Sequence, residues 1–144
     1  MTTTARADSS RTPQSDRPAR RTRSRHAVAS SFAELGVAPA LVGALAATGI
    51  SDPFPIQAAT LPDSLAGRDL LGRGRTGSGK TVAFALPLVS ALAGSRSVAR
   101  RPRGLVLVPT RELAVQVEAT VSPLARAVGL STRTIFGGVG QNPQ

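Results

Sequence analysis

The chain has 144 residues, no cysteine, a single histidine, 41% hydrophobic residues and a formal charge of +10. The missing cysteines exclude disulfides and thiolate metal centres, and no apolar run reaches the length of a membrane span, so no membrane partner is expected. The length allows at most one ordinary domain, and the basic balance favours a polyanionic partner such as nucleic acid.

Residues 1–30 consist almost entirely of Thr, Ser, Ala, Arg, Asp and Pro, with Val28 the only large aliphatic side chain after Met1. Such a segment cannot bury enough apolar area to offset the entropy of ordering it. We therefore expect a disordered basic tail over 1–30 and a folded unit over 31–144. The tail carries seven arginines against two aspartates. It reads equally well as a polyanion-binding arm and as a solvated segment from an Arg-preferring genome. Arg20-Arg21 is followed by no apolar h-region, and Asp8 and Asp16 argue against a transit peptide, so a cytoplasmic location is the default expectation. His26 reads as a solvated residue.

Order is expected from Ser31-Phe32. A helix should open at Pro39 and run to about Thr48, with Ala38, Leu41 and Leu45 on one stripe and Gly49 as its stop. Pro53 and Pro55 impose an extended turn before a second helix carrying Ile56 and Leu61, which Pro62 should bend or divide. Asp69 to Gly72 reads as a strand.

That strand delivers the chain to Gly74-Arg75-Thr76-Gly77-Ser78-Gly79-Lys80-Thr81, which satisfies the pattern Gly-x-x-x-x-Gly-Lys-Ser/Thr. Glycines let the backbone curl so that successive N–H groups face a phosphate, and the following helix adds its N-terminal dipole. Lys80, the only lysine in the chain, would reach the β and γ phosphates, and the Thr81 hydroxyl would ligate Mg²⁺. A Gly/Ser-rich surface turn is the alternative, but Leu70-Leu71 before the stretch and Val82 to Leu86 after it supply the strand, loop and helix that phosphate binding needs.

The helix after Lys80 is apolar nearly all round, which marks it as buried, and Pro87 should kink it. Residues 94–103 form a basic connection containing Arg96, Arg100, Arg101 and Arg103, read as a surface loop, with incidental nucleic-acid contact the other role open to it. Leu105 to Val108 is an unbroken aliphatic run suited to a parallel strand covered on both faces. From Arg111, Leu113, Val117, Val121, Leu124 and Val128 form one helical stripe, with Ser122-Pro123 a kink or a stop and restart. Ser131 to Ile135 alternates as a third strand, and Gly137-Gly138 opens a turn. Strands alternating with helices, with phosphate binding at the first strand's exit, give an α/β fold with a mostly parallel sheet.

Four stretches in this order resemble the DEAD-box ATP-dependent RNA helicases of superfamily 2. Gly49-Ile50-Ser51-Asp52-Pro53-Phe54-Pro55-Ile56-Gln57 resembles the Q motif, with Phe32 placed upstream like the family's isolated aromatic. Gly74 to Thr81 resembles motif I. Pro109-Thr110-Arg111-Glu112-Leu113-Ala114 matches motif Ia, and Gly137-Gly138 is similar to the GG motif. The resemblance implies an incomplete RecA-like domain that binds ATP and Mg²⁺ and contacts RNA with little sequence preference. It implies adenine reading by Gln57 and stacking by Phe32, and RNA-backbone contact by Pro109, Thr110, Arg111, Gly137 and Gly138. Packing is the other role open to Phe32, and a helix-surface position the other open to Gln57.

The sequence departs from the family in having Gly rather than Ala at position 74, and in showing no Asp-Glu-Ala-Asp run, Ser-Ala-Thr motif or arginine finger. It therefore reads as the N-terminal portion of a helicase, with Lys80 and Thr81 the only catalytic-motif residues present, and alone is expected not to turn over ATP. The alternatives are a non-catalytic nucleic-acid-binding fragment and a superfamily 2 phosphate-loop NTPase acting on DNA.

Overall fold

The computed structural model describes residues 31–96, 98 and 100–137. The expected tail and Gly138 lie outside them. The described residues open with a single turn in which Ser31 and Glu34 cap each other: the Glu34 N–H donates to Ser31 Oγ at 3.3 Å and the Ser31 N–H to Glu34 Oε2 at 3.1 Å. This reciprocal pair satisfies donors that a helical start leaves orphaned, and it turns Phe32, Leu35 and Val37 into the core.

Four helices follow: α1 (Pro39–Ala47), α2 (Pro55–Leu65), α3 (Lys80–Leu92) and α4 (Arg111–Ala127). Pro39 and Pro55 stand at helix starts, where a missing N–H costs nothing. At the end of α1, Gly49 takes φ +81°, its N–H donates to Ala46 C=O, and the Ile50 N–H donates to Leu45 C=O. This left-handed closure satisfies the last carbonyls without Cβ strain. The expected boundaries of α1 hold to one residue.

Pro62, Pro87 and Pro123 all lie inside continuous helices, so the division open at Pro62 and the stop and restart open at Pro123 do not occur. Each removes one intrahelical hydrogen bond, but the flanking turns stay anchored by buried neighbours: Leu61, Leu86 and Leu124 are each at most 2% exposed. Packing of the amphipathic face outweighs the local preference.

α1 packs on α4, α4 on α3 and α3 on α2, a row of helices sharing one core. Phe32, Leu41 and Leu45 meet Leu61, Val82, Leu86 and Val89 and the α4 stripe of Val117, Val121 and Leu124. The stripe read from sequence is therefore the buried face of α4.

The sheet is the main correction. Asp69–Gly72, Leu105–Val108 and Ser131–Ile135 are non-helical segments, but they form no β-ladder among the described residues. A parallel strand needs a neighbour about 4.8 Å away, and none of the three segments takes that place for another. Nor is the second segment covered on both faces. Val108 packs against the core, whereas Leu105 is 79% and Leu107 84% exposed. The alternation shows one face turned toward the helices and the other open.

Contacts with the helices place the second and third segments. A Cβ on Gly104 would meet Leu92 and Leu88 of α3 at 2.9 and 3.2 Å, so the second segment starts beside the C-terminal half of α3. Thr132 Oγ1 donates to Glu118 Oε1 of α4 at 2.5 Å, and Gly137 meets Arg111, so the third segment runs toward the start of α4. The starts of α3 and α4 therefore lie at one end of the molecule, together with the motifs singled out from sequence.

Candidate nucleotide and nucleic-acid site

The phosphate loop joins the first segment to α3. Arg75 C=O accepts the Ser78 N–H at 3.2 Å, and Gly77 and Gly79 take φ +78° and +83°. Only glycine adopts such values without strain, which is why the loop turns tightly and still enters a helix at Lys80. Gly79 is the N-cap of α3, so the first-turn N–H groups of α3 have no intrahelical acceptor and face the loop mouth with the positive end of the helix dipole.

Lys80 Nζ donates to Gly74 C=O and Arg75 C=O, both at 2.6 Å. The ammonium thus closes the loop on itself. Ser78 Oγ is buried with no partner among the described residues, a polar atom turned into a cradle. Gly74, where the related motif carries Ala, stands close to the same atom: a Cβ there would lie 2.7 Å from Ser78 Oγ, which would turn aside to admit it. Arg75 and Thr76 are exposed on the loop's rim, and Thr81 is half-buried in the first turn of α3.

Gln57 is 1% exposed, so it does not lie on the helix surface. Its Oε1 accepts the Phe54 N–H at 2.9 Å, capping α2, and its Nε2 donates to Gly79 C=O at 2.9 Å. The side chain is a strut between the start of α2 and the last residue of the phosphate loop. The fit is close, since a Cβ on Gly79 would lie 2.4 Å from Gln57 Nε2 and 2.5 Å from Phe54 Cδ2.

Phe32 is 1% exposed and belongs to the apolar core cluster. The aromatic ring bordering the loop is Phe54, 52% exposed beside Gly79. The resemblance to the Q motif includes Phe54 but gives it no role of its own. Its position at the N-cap of α2, three residues before Gln57, was the available signal.

The second part of the site is at the start of α4. Thr110 is the N-cap, its Oγ1 accepting the Leu113 N–H at 3.2 Å. Its hydroxyl proton is not needed for that bond and is available to an outside acceptor. Arg111 Nη2 donates to Gly137 C=O, and its guanidinium carbon lies 5.8 Å from the Phe136 ring centroid. Pro109, Thr110, Arg111 and Gly137 are all exposed. Arg111 and Gly137 are thus brought together, while Gly138 lies outside the described residues.

Among the described residues no group of three or more His, Asp or Glu side chains could hold a metal. The set present, one hydroxyl beside a phosphate cradle, suits Mg²⁺ held largely through phosphate and water. The buried Ser78 hydroxyl, the glycine-lined turn and the free first-turn N–H groups fit a nucleoside triphosphate.

Residues 54–144 match the family "DEAD/DEAH box helicase". The chain is 42% identical over 123 residues to the ATP-dependent RNA helicase RhlB of Shigella dysenteriae, covering 83% of this chain and 29% of that protein. Among solved structures it is similar to the RNA helicase Prp28 from Chaetomium thermophilum bound to ADP, with TM-score 0.73 and 37% identity over 79% of this chain and 28% of the other. It is also similar to Dbp5 of S. cerevisiae bound to RNA and ADP BeF3, with TM-score 0.59 and 33% identity, covering 69% and 25%. The chain spans less than a third of each of these relatives.

Proposed function

Because the chain belongs to the DEAD/DEAH box helicase family, we propose that it is the ATP-binding, RNA-contacting portion of an ATP-dependent RNA helicase. The carrying observation is the glycine-turned loop that ends on a left-handed Gly79 and opens α3 at Lys80. In this reading Gly74, Arg75, Thr76, Gly77, Ser78 and Gly79 offer backbone N–H groups to the phosphates. Lys80 Nζ exchanges the Gly74 and Arg75 carbonyls for phosphate oxygens, and the Thr81 hydroxyl ligates Mg²⁺. ATP, when bound, supplies the phosphoanhydride whose hydrolysis drives remodelling of an RNA duplex.

Gln57 reads adenine by trading partners. Gly79 C=O also accepts the Ala83 N–H at 3.1 Å, so withdrawal of Gln57 Nε2 leaves no orphaned carbonyl. The amide can then turn one donor and one acceptor toward a base edge. Phe54, rather than Phe32, offers the apolar surface for a base beside the loop, and stacking of that kind needs an accessible ring face.

For RNA, Arg111 and Thr110 meet a backbone phosphate, with the Gly137-Gly138 turn allowing close approach. Contacts of this kind carry no base sequence. The test is binding of a short single-stranded RNA across a salt series. Arg111→Ala is expected to weaken binding and to reduce the log–log salt slope by about 0.7, one phosphate's worth for a single strand. An unchanged slope, with binding abolished instead by deleting residues 1–30, would assign the RNA contact to the tail.

A further inference from the structure

The end of the molecule remote from the phosphate loop carries cationic side chains that neither the nucleotide nor the motif contacts employ. α3 runs from Lys80 to Leu92, about 20 Å of helix at a rise of 1.5 Å per residue, so the connection after it lies one helix length from the loop. Within that connection Arg96, Arg100 and Arg101 are exposed. Arg126 lies in the last turn of α4, at the corresponding end of the neighbouring helix.

The usual reason for arginines at a helix C-terminus is to cap its carbonyls and oppose its dipole. Arg103 already does this, its Nη1 donating to Leu92 C=O at 3.2 Å and to Ser95 C=O at 2.9 Å. The other three are surplus to that task. The local sequence offers them no counter-charge, with no acidic residue between Asp69 and Glu112, and among the described residues the ion pair found, Arg68 with Asp63 at 2.6 Å, involves none of them.

The backbone adds an independent observation. Arg100 has φ +61°, in the left-handed region that side chains other than glycine and asparagine seldom adopt. The turn is closed by the Arg101 N–H donating to Val98 C=O at 3.2 Å, while Arg103 pins its base to α3. The turn at Arg100 and Arg101 therefore presents adjacent arginines on a backbone that residues other than glycine and asparagine seldom adopt.

We propose that Arg96, Arg100 and Arg101 form a second nucleic-acid site, which binds the sugar-phosphate backbone of single-stranded RNA lying beyond the Thr110–Arg111 contact. Guanidinium groups match phosphate bidentately. The large apolar side chain exposed in this turn is Val98 alone among the described residues, so the ligand is recognised by charge rather than by the apolar anchors of a protein interface. The site does not depend on nucleotide binding.

The experiment uses the full chain and measures binding of single-stranded RNAs of about 8 and about 24 nucleotides, bracketing common single-strand site sizes, across a salt series. The Arg96→Gln/Arg100→Gln/Arg101→Gln variant is expected to lose the affinity advantage of the longer RNA. Its log–log salt slope should fall by about 2, since each lost contact removes about 0.7. Binding of the short RNA and of ATP should not change, and the triple Lys variant should keep the slope. Each single Gln variant should lower the slope by about 0.7, which keeps the test readable if the triple variant folds poorly. An unchanged slope and length advantage in the Gln variants would overturn the proposal. Displacement of the longer RNA by polyglutamate as readily as by unlabelled RNA would also overturn it, assigning the patch to acidic proteins. Arg111→Ala, read on the short RNA, reports separately on the motif contact.

Discussion

Gln57→Ala separates a strut from a base reader. If Gln57 served only to read adenine, its removal would leave the nucleotide-free protein untouched. The structure requires more, because the buried amide caps α2 through Phe54 N–H and ties α2 to Gly79 C=O, each bond 2.9 Å long. Two such bonds contribute about 1 kcal/mol each, and truncating a buried side chain adds a cavity cost. The loss should total about 2–3 kcal/mol in the absence of ligand, a large part of the margin of a small domain. Urea unfolding followed by helical circular dichroism measures it. Amide exchange at Phe54 gives a local readout, expected to quicken about fivefold for the roughly 1 kcal/mol carried by its own bond. Unchanged stability and unchanged Phe54 protection, with only nucleotide selectivity altered, would refute the strut.

Phe32 should act as a core residue and Phe54 as the ring beside the base. Phe32→Ala is expected to destabilise by about 3–5 kcal/mol, as for other large-to-small core changes, whereas Phe54→Ala should leave the unfolding midpoint nearly unchanged and weaken ATP binding in titration calorimetry. A Phe54→Ala protein with normal ATP affinity would remove Phe54 from the base site. At the start of α4, Thr110→Ala should cost about 1 kcal/mol through the lost N-cap, and Thr110→Ser should restore it. Equal melting of the Ala and Ser variants would show that the hydroxyl does not cap.

The helices were legible because their determinants are local. Prolines at Pro39 and Pro55, glycine closure at Gly49 and the single stripe on α4 each act within a few residues, and each stands where the pattern placed it. The sheet was not, because a strand is completed by a partner distant in sequence. Leu105 to Val108 shows the difference: its apolar run marked an extended segment, but the coverage of Leu105 and Leu107 is a tertiary property that four letters do not encode.

The site divides along the same line. The loop letters from Gly74 to Thr81 specify a turn, since only glycine relieves the left-handed geometry at Gly77 and Gly79. Which atoms they engage is another matter. Gln57 was identified by its motif, yet its bond to Gly79 joins residues 22 apart. Burial of Phe32 and exposure of Phe54 depend on how the first turn and α2 seat on α3. Arg103 looked like one basic loop residue among four, and only the fold distinguishes it as the cap of α3.

The central claim is that the loop before α3 holds the triphosphate of ATP, and calorimetric titration of the 144-residue chain and its Lys80→Ala variant with Mg²⁺·ATP tests it most directly. Hydrogen bonds from a charged group contribute about 1.5–3 kcal/mol, so the variant should bind about 10- to 100-fold more weakly, with unaltered helical content and with the parent preferring ATP to GTP. Equal ATP affinity in parent and variant would contradict the account, and equal affinity of the parent for ATP and GTP would contradict its assignment of adenine.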